Sequence, residues 1–351
     1  MSSVESNRAA WLVGEGVNPL EVRPGPDQTK PEAGEVIIKV AAVAINPSEP
    51  IVQDKPVIPL AYPHVLGSDI AGTVAKVGSG VTRFQVGDRV IGHCLGLVHG
   101  GARHGGFQEY TACLEAGVAK IPDSLSFEQA AVLPLSISTS SVALYEHLKL
   151  REPAVELGGQ KTGNEAVLIW GGATSIGCSA IQLAVASGYK VVTTASTKNH
   201  GFVRSLVATG AEDVTVFDYA DADITTRIIS HFKDAGLAFA GAYDCISKPD
   251  TVRVCADVAA TFGSKLVSVV LFGVESPRPD VEVPTVWSTN AVLTPEGSGR
   301  VWEKFVPGAL ISGTLKAKPE PQVVGKGLGQ IQDAMNTYKK GVSATKIVVT
   351  L

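Results

Sequence analysis

Residues 166–188 read AVLIWGGATSIGCSAIQLAVASG. The apolar run AVLIW has the length and composition of a buried strand, and SAIQLAVASG carries helical spacing, so the segment predicts a strand, a tight glycine turn and a helix. Such a turn aims the free N–H groups of the helix at an anion, and glycine lets a diphosphate approach the backbone closely. Gly172 and Gly177 occupy the outer positions of G-x-G-x-x-G. Thr174 stands at the middle one, so the strict fingerprint is broken and the hydroxyls of Thr174 and Ser175 become candidate phosphate donors. The stretch Gly171, Gly172, Ala173, Thr174, Ser175, Ile176 and Gly177 either grips a dinucleotide or is only a tight strand-to-helix connection.

Working outward, the same rhythm continues. KVVTTAS (190–196), HGFVRSLVAT (200–209) and DVTVFDY (213–219) alternate strand, helix and strand, the spacing of a parallel doubly wound sheet. GAYDCIS (241–247) and KLVSVVLFG (265–273) predict two further buried strands, with the helix TVRVCADVAATFG (251–263) between them. Upstream, REPAVELGGQKTG (151–163) is Gly-rich and polar and predicts a surface connection. Up to about residue 130 the chain consists of short strands punctuated by Gly and Pro: EVIIKVAAVAI, AGTVAKVGSG, GDRVIGH and FQEYTAC. The end predicts a helix within GKGLGQIQDAMNTYKKG (325–341) and a strand KIVVTL (346–351). The tail beginning near Trp287 is free to rejoin the first domain.

The residue that closes the second strand of such a sheet decides the ribose chemistry. An acid there accepts from the 2′-hydroxyl of NAD, whereas a 2′-phosphate needs that acid absent and donors nearby. TTASTKNH (193–200) contains no acid and offers Ser196, Lys198 and Asn199, which favours NADP(H). The alternative for Lys198 is a solvated loop lysine.

A net charge of −4 and a sequence pI near 6.0, with no basic cluster, argue against nucleic acid and anionic membranes as partners. No apolar run approaches the length needed to cross a bilayer, and the first residues, MSSVESNRAAWLVGEG, lack the basic and apolar regions of a signal peptide, so a cytoplasmic protein is expected. The cysteines, Cys94, Cys113, Cys178, Cys245 and Cys255, lie far apart among apolar neighbours and form no C-x-x-C pair, as expected of reduced, buried thiols. The histidines follow no standard metal-ligand spacing.

With NPSE (46–49), YPHVLGSDIAGTVAKVGSGVTRFQVGDRV (62–90), AAVLPLSISTSSVALYEHL (130–148) and the closing ATKIVVTL, the sequence resembles the zinc-independent medium-chain dehydrogenase/reductase superfamily. Within it, the chain is most similar to the fungal group of CipB-like and ToxD-like oxidoreductases and trans-acting enoyl reductases. The resemblance implies an α/β fold: a GroES-like, β-rich catalytic domain over 1–134, a Rossmann doubly wound parallel-sheet domain binding NADP(H) over 135–286, and a C-terminal segment, 287–351, returning to the first. It places Asn46, Ser68, Asp69 and a position near Leu135 where zinc-dependent relatives carry metal ligands, and those residues make no tetrahedral zinc site. It also implies that Asn46 and Pro47 line the nicotinamide end, that Thr139 reaches the nicotinamide amide or ribose, that Val270, Leu271 and Phe272 pass along the ring, and that Tyr219 belongs to the coenzyme site. Asn46 is otherwise a turn residue before proline, and Thr139 a helix N-terminal hydroxyl.

Relatives of this group read N-P-x-D-x-K, but Glu49, Pro50 and Ile51 stand here, so a charged hydrogen-bond donor is missing. Candidate proton donors are Tyr62, His93 and the histidines of GLVHGGARHGG (96–106), each with a structural alternative: Tyr62 as a cap on an apolar cluster, a lone histidine as a hydrogen-bonded structural residue. Asp69 reads as an anchor for a strand turn. The expectation is an NADPH-dependent reductase of an activated double bond or carbonyl in fungal secondary metabolism, its small-molecule substrate free or carried as a thioester. Two alternatives stay open: a quinone oxidoreductase, or a non-redox member catalysing cyclisation or isomerisation; a binding module is the third class. A monomer or a homodimer, the latter paired through DVEVPTVW (280–287), both fit.

Overall fold

Strands of β-branched residues and alanine, broken by glycine turns, build the first of two compact units. The computed structural model describes residues 6–155, 163–207 and 211–351. Its contacts divide the chain into one unit of Met1–Leu135 with Ala317–Leu351, and another of Ser136–Lys316. In the first, β1 (Arg8–Leu12), β2 (Glu21–Pro24), β3 (Glu35–Ala44), β4 (His64–Val65), β5 (Asp69–Val77), β6 (Arg89–His93), β7 (Tyr110–Leu114) and β8 (Val118–Lys120) follow in sequence.

The second unit is a parallel sheet of β9 (Glu165–Trp170), β10 (Lys190–Ala195), β11 (Val214–Asp218), β12 (Ala238–Asp244) and β13 (Val267–Val269), in the order β11-β10-β9-β12-β13. The chain leaves β9 in one direction and returns to its other side at β12. The carboxyl ends of β9 and β12 therefore form a topological switch point, where open parallel sheets bind ligands. The helices Ser175–Ala186, His200–Arg204, Ile224–Asp234 and Pro249–Thr261 lie in the crossovers, and Phe232, Val252, Cys255 and Ala256 join Leu168 and Val267 in the core.

Back in the first unit, β14 (Glu320–Lys326) and β15 (Thr345–Thr350) complete a sheet of order β14-β15-β3-β5-β6-β8, with β7 also paired to β3. A smaller sheet has the order β2-β1-β4. The helix Ile331–Lys339 packs Ile331 and Met335 into the same core as Ile38, Ile70 and Val349.

The α/β architecture is as expected, with three differences in extent. The segment 287–316 belongs to the second unit rather than to the returning tail, because Trp302 and Phe305 are fully buried there. The Trp302 indole N–H donates to Ser138 Oγ at 3.0 Å, and the return starts only at Ala317. The predicted strand KLVSVVLFG narrows to Val267–Val269. The predicted helix within 325–341 begins late, because Gly327 at φ 87° separates β14 from it. DVEVPTVW runs beside β13 through parallel bridges of Leu266 to Glu282 and Val269 to Thr285. Most of the connection 151–163 and part of HGFVRSLVAT lie outside the described residues; within the latter, His200–Arg204 is helical.

Candidate coenzyme site and a buried charge node

The turn after β9 is built from its own atoms. Gly171 takes φ 84°, a conformation open to glycine. A Cβ on Gly172 would meet Thr193 Oγ1 at 2.3 Å, and one on Gly177 would meet Gly171 O at 2.3 Å. These glycines therefore let the helix Ser175–Ala186 begin directly against the strands, whatever is bound. Thr174 is the N-cap: its hydroxyl accepts from Gly177 N at 2.9 Å and donates to Gly171 O at 2.8 Å. That hydroxyl proton is spent inside the turn, so Thr174 does not donate to phosphate as the sequence had suggested.

Ser175 differs. Its Oγ is shielded from solvent and has no hydrogen-bond partner, a state that costs free energy unless a ligand completes it. Ser175 and Ile176, in the first turn, also have no earlier helical carbonyl to receive their N–H groups. A diphosphate fits this donor set. Ser140 donates to Ile176 O at 3.0 Å and Ser136 pairs with Ser179 at 2.8 Å, so the helix carrying Thr139, itself buried, braces the start of this one.

At the end of β10 the structure adds a residue that local sequence concealed. The parallel register sets Ala195 against Asp218 of β11, and the Thr197 hydroxyl donates to Asp218 Oδ2. Ala220 N donates to Asp218 Oδ1 at 3.0 Å. These bonds hold the Asp218 carboxyl below the usual range. The stretch 193–200 contains no acid, as read, yet tertiary structure places one beside it. Lys198 and Tyr219 are exposed, while Ser196 and Asn199 are half-buried.

Across the switch point, Asp244 at the end of β12 accepts from Ile246 N at 2.8 Å, Ser247 N at 2.9 Å and the Thr251 hydroxyl at 2.6 Å. Ser247 adopts φ 61°, and its Oγ accepts from Val270 N at 2.8 Å. The DCIS stretch thereby fixes the start of Val270–Phe272. Beyond it, Leu271 and Phe272 are exposed, with the Phe272 ring 4.7 Å from Trp287. From the sequence alone Asp244 and Ser247 carry no assigned role. The signal was an acid and a hydroxyl closing an otherwise apolar strand.

The first unit contains a different polar feature. Asn46, Glu49, Asp69, His93 and Lys346 are all buried. Lys346 Nζ lies 3.1 Å from Asp69 Oδ2 and also donates to Asn46 Oδ1. Asn46 Nδ2 donates to Asp69 Oδ2 at 2.9 Å, and Leu135 N donates to Asp69 Oδ1 at 2.6 Å. Glu49, opening the helix Ser48–Asp54, accepts from Asn46 N at 2.6 Å and Ser68 N at 3.0 Å. Burial and the Asp69 charge raise the Glu49 pKa to about 7. The Asn46 side chain is thus a structural node, with both amide ends occupied inside the unit, and Pro47 takes the N-cap position of the helix that follows, without a side-chain cap bond. Asp69 anchors the strand start, as read.

Burial pushes the His93 pKa down to about 4, so its imidazole is neutral near pH 7 and has no ammonium-like proton to release. Its Nδ1 has no partner. Tyr62 is exposed, as is Ile51 at the position of the missing lysine. His104, in the glycine-rich loop, is bound to Glu35 at 2.8 Å, which is the structural role rather than the acid one. The residues at the metal positions do not fit zinc. Asn46 and Asp69 are committed to each other, to Lys346 and to Leu135 N, Ser68 offers only a hydroxyl, and among the described residues no group of three or more His, Cys, Asp or Glu could hold a metal ion.

Residues 32–123 match the alcohol dehydrogenase GroES-like domain. A trans-enoyl reductase of Aspergillus japonicus is 40% identical over 98% of this chain and 97% of its own. The CipB protein of Emericella nidulans, named as a zinc-binding alcohol dehydrogenase domain-containing protein, is 36% identical over the whole of both chains. Among solved structures, an alcohol dehydrogenase superfamily protein from Novosphingobium aromaticivorans superposes with a TM-score of 0.77 at 24% identity, covering 99% of this chain and 100% of that one. The CurK enoyl reductase does so with a TM-score of 0.72 at 23%, covering 99% of each. No helix of the described residues is long and apolar enough to cross a membrane. With relatives of this identity and coverage, the chain belongs to the medium-chain dehydrogenase/reductase superfamily, in the fungal group that holds the trans-acting enoyl reductases and CipB.

Proposed function

We propose that this chain is an NADPH-dependent, zinc-independent reductase that adds hydride to a double bond activated by a carbonyl or thioester, in fungal secondary metabolism. The observation that carries the reading is the turn 171–177: a glycine-built strand-to-helix junction at a switch point, with the shielded Ser175 hydroxyl awaiting an acceptor. The names of the relatives support the substrate class, since several are trans-enoyl reductases.

When bound, the nicotinamide coenzyme supplies the hydride. The chain's own residues bind and orient it: the first-turn amides and Ser175 take the diphosphate, Ser196, Lys198 and Asn199 take the 2′-phosphate, and the Asp244–Ser247–Val270 bonds shape the stretch assigned to the nicotinamide. With no zinc to polarise a lone carbonyl, the electrophile must be activated by its own conjugation, as in an enone or enoyl thioester. Burial keeps the His93 imidazole neutral, so Tyr62 or water is the proposed source of the proton for the enolate carbon. The protein works in the cytoplasm on a small molecule, free or held on a carrier as a thioester, without nucleic acid or membrane.

The test is calorimetric titration with NADP+ and NAD+, followed by NADPH oxidation against enones, enoyl thioesters and quinones. Steady turnover on an enone or enoyl thioester is expected. Binding without turnover on any of them would redirect the assignment to non-redox chemistry, a reading the replacement of lysine by Ile51 favours. No binding of either coenzyme would remove it altogether.

A further inference from the structure

We infer that Asp218, one strand away from the residue that ordinarily decides the matter, sets how strongly this chain prefers NADPH over NADH. The inference rests on the coenzyme reading above and adds the residue that limits its selectivity. Neighbouring parallel strands lie about 4.8 Å apart, so a residue paired across them approaches the same ribose end. Ala195 is paired with Asp218, and two residues on, the Thr197 hydroxyl reaches back to Asp218 Oδ2 while Ala220 N holds Oδ1. The carboxylate is therefore fixed at both oxygens, next to the stretch that carries Ser196 and Lys198.

The two charges pull in opposite directions. A 2′-phosphate brings nearly two negative charges, which Lys198 attracts and Asp218 repels. A 2′-hydroxyl brings none and finds in Asp218 an acceptor, the role an acid plays at the end of the second strand in NAD-binding sheets. The site thus carries a donor set suited to one coenzyme and a tethered acceptor suited to the other. Preference for NADPH is narrow, and the Thr197 bond keeps the carboxylate where it narrows it. Both groups are accessible to solvent, so salt weakens the effect.

Titrate the full chain and its variants with NADP+ and NAD+ by calorimetry, at low salt and again at physiological ionic strength. Asp218→Asn keeps an acceptor for Thr197 while removing the charge. It should tighten NADP+ binding about fivefold at low salt, the size expected for one partly screened charge, and leave NAD+ within about twofold. Lys198→Gln should move NADP+ the opposite way and spare NAD+. The gain in Asp218→Asn should shrink at higher salt. An unchanged NADP+ to NAD+ affinity ratio in Asp218→Asn, or both coenzymes shifting together, overturns the inference while the coenzyme reading stands. A parent chain that binds neither coenzyme overturns both.

Discussion

The turn at 171–177 and the charged groups around Lys346, leaving aside the neighbouring His93, treat buried polar atoms in opposite ways. In the node, a lysine, an aspartate and an asparagine bind one another, and backbone amides fill the remaining carboxylate oxygens of Asp69 and Glu49. In the turn, glycines and Thr174 complete the frame, and one hydroxyl, Ser175, is left without a partner. Satisfied buried charge fixes a shape, whereas an unsatisfied donor is a vacancy in the hydrogen-bond inventory that a ligand can fill. The difference separates a scaffold from a binding surface, and both can be perturbed one atom at a time.

The largest effect should come from Lys346→Met. Removing the cation strands the Asp69 carboxylate in the interior, which typically costs about 3–5 kcal/mol. Urea unfolding should show a loss of that order, and a loss below about 1 kcal/mol would mean that Asp69 takes up a proton or water instead.

Next comes a pH effect from two groups that oppose each other. Glu49 has a folded pKa of about 7 against 4.5 for the free side chain. Its contribution is present below pH 4.5 and is lost as pH rises through 7, by about 3 kcal/mol. His93 runs the other way: its folded pKa of about 4 against 6.5 means that stability is lost as pH falls from 6.5 toward 4, by a similar amount. In the parent chain these slopes offset between pH 4.5 and 6.5. Glu49→Gln should therefore expose an acid-side decline in the urea midpoint, and His93→Leu an alkaline-side one. A variant profile parallel to that of the parent would exclude the corresponding group.

How much of this could be read beforehand depends on range. The turn and its flanking strands were legible because a strand, a glycine pair and a helix are spelled in consecutive residues. Thr174 was recognisable as a hydroxyl in the wrong place for the fingerprint, but its use as an N-cap needed the coordinates of Gly177. Asp218 escaped because its neighbours belong to another strand and the turn after it, Ala195 by register and Thr197 by hydrogen bond, and parallel register is not written locally. The Lys346–Asn46 bond spans 300 residues. No periodicity connects a lysine in the strand KIVVTL with an asparagine before a proline. The place of segment 287–316 in the second unit is hidden for a related reason: its helical turns are short, and Trp302 and Phe305 find their core through tertiary packing rather than through a repeating apolar face.

The smallest effects on stability should tell most about function, because Thr174 and Ser175 are adjacent hydroxyls with opposite duties. Thr174→Ala deletes the cap on Gly177 N and the bond to Gly171 O, so it should cost about 1 kcal/mol of stability and weaken coenzyme binding only through a looser turn. Ser175→Ala deletes a hydroxyl that bonds to nothing in the free protein, so its stability should be unchanged or slightly higher. If that hydroxyl completes its bonding on a diphosphate, the same change should weaken NADP+ and NAD+ alike by about ten- to a hundredfold, the worth of one hydrogen bond to a charged acceptor. Paired unfolding and calorimetric titrations of the two variants read both quantities. A Ser175→Ala chain with undiminished affinity for both coenzymes would show that the shielded oxygen is not a phosphate ligand, and the case for the site would then rest on the backbone amides alone.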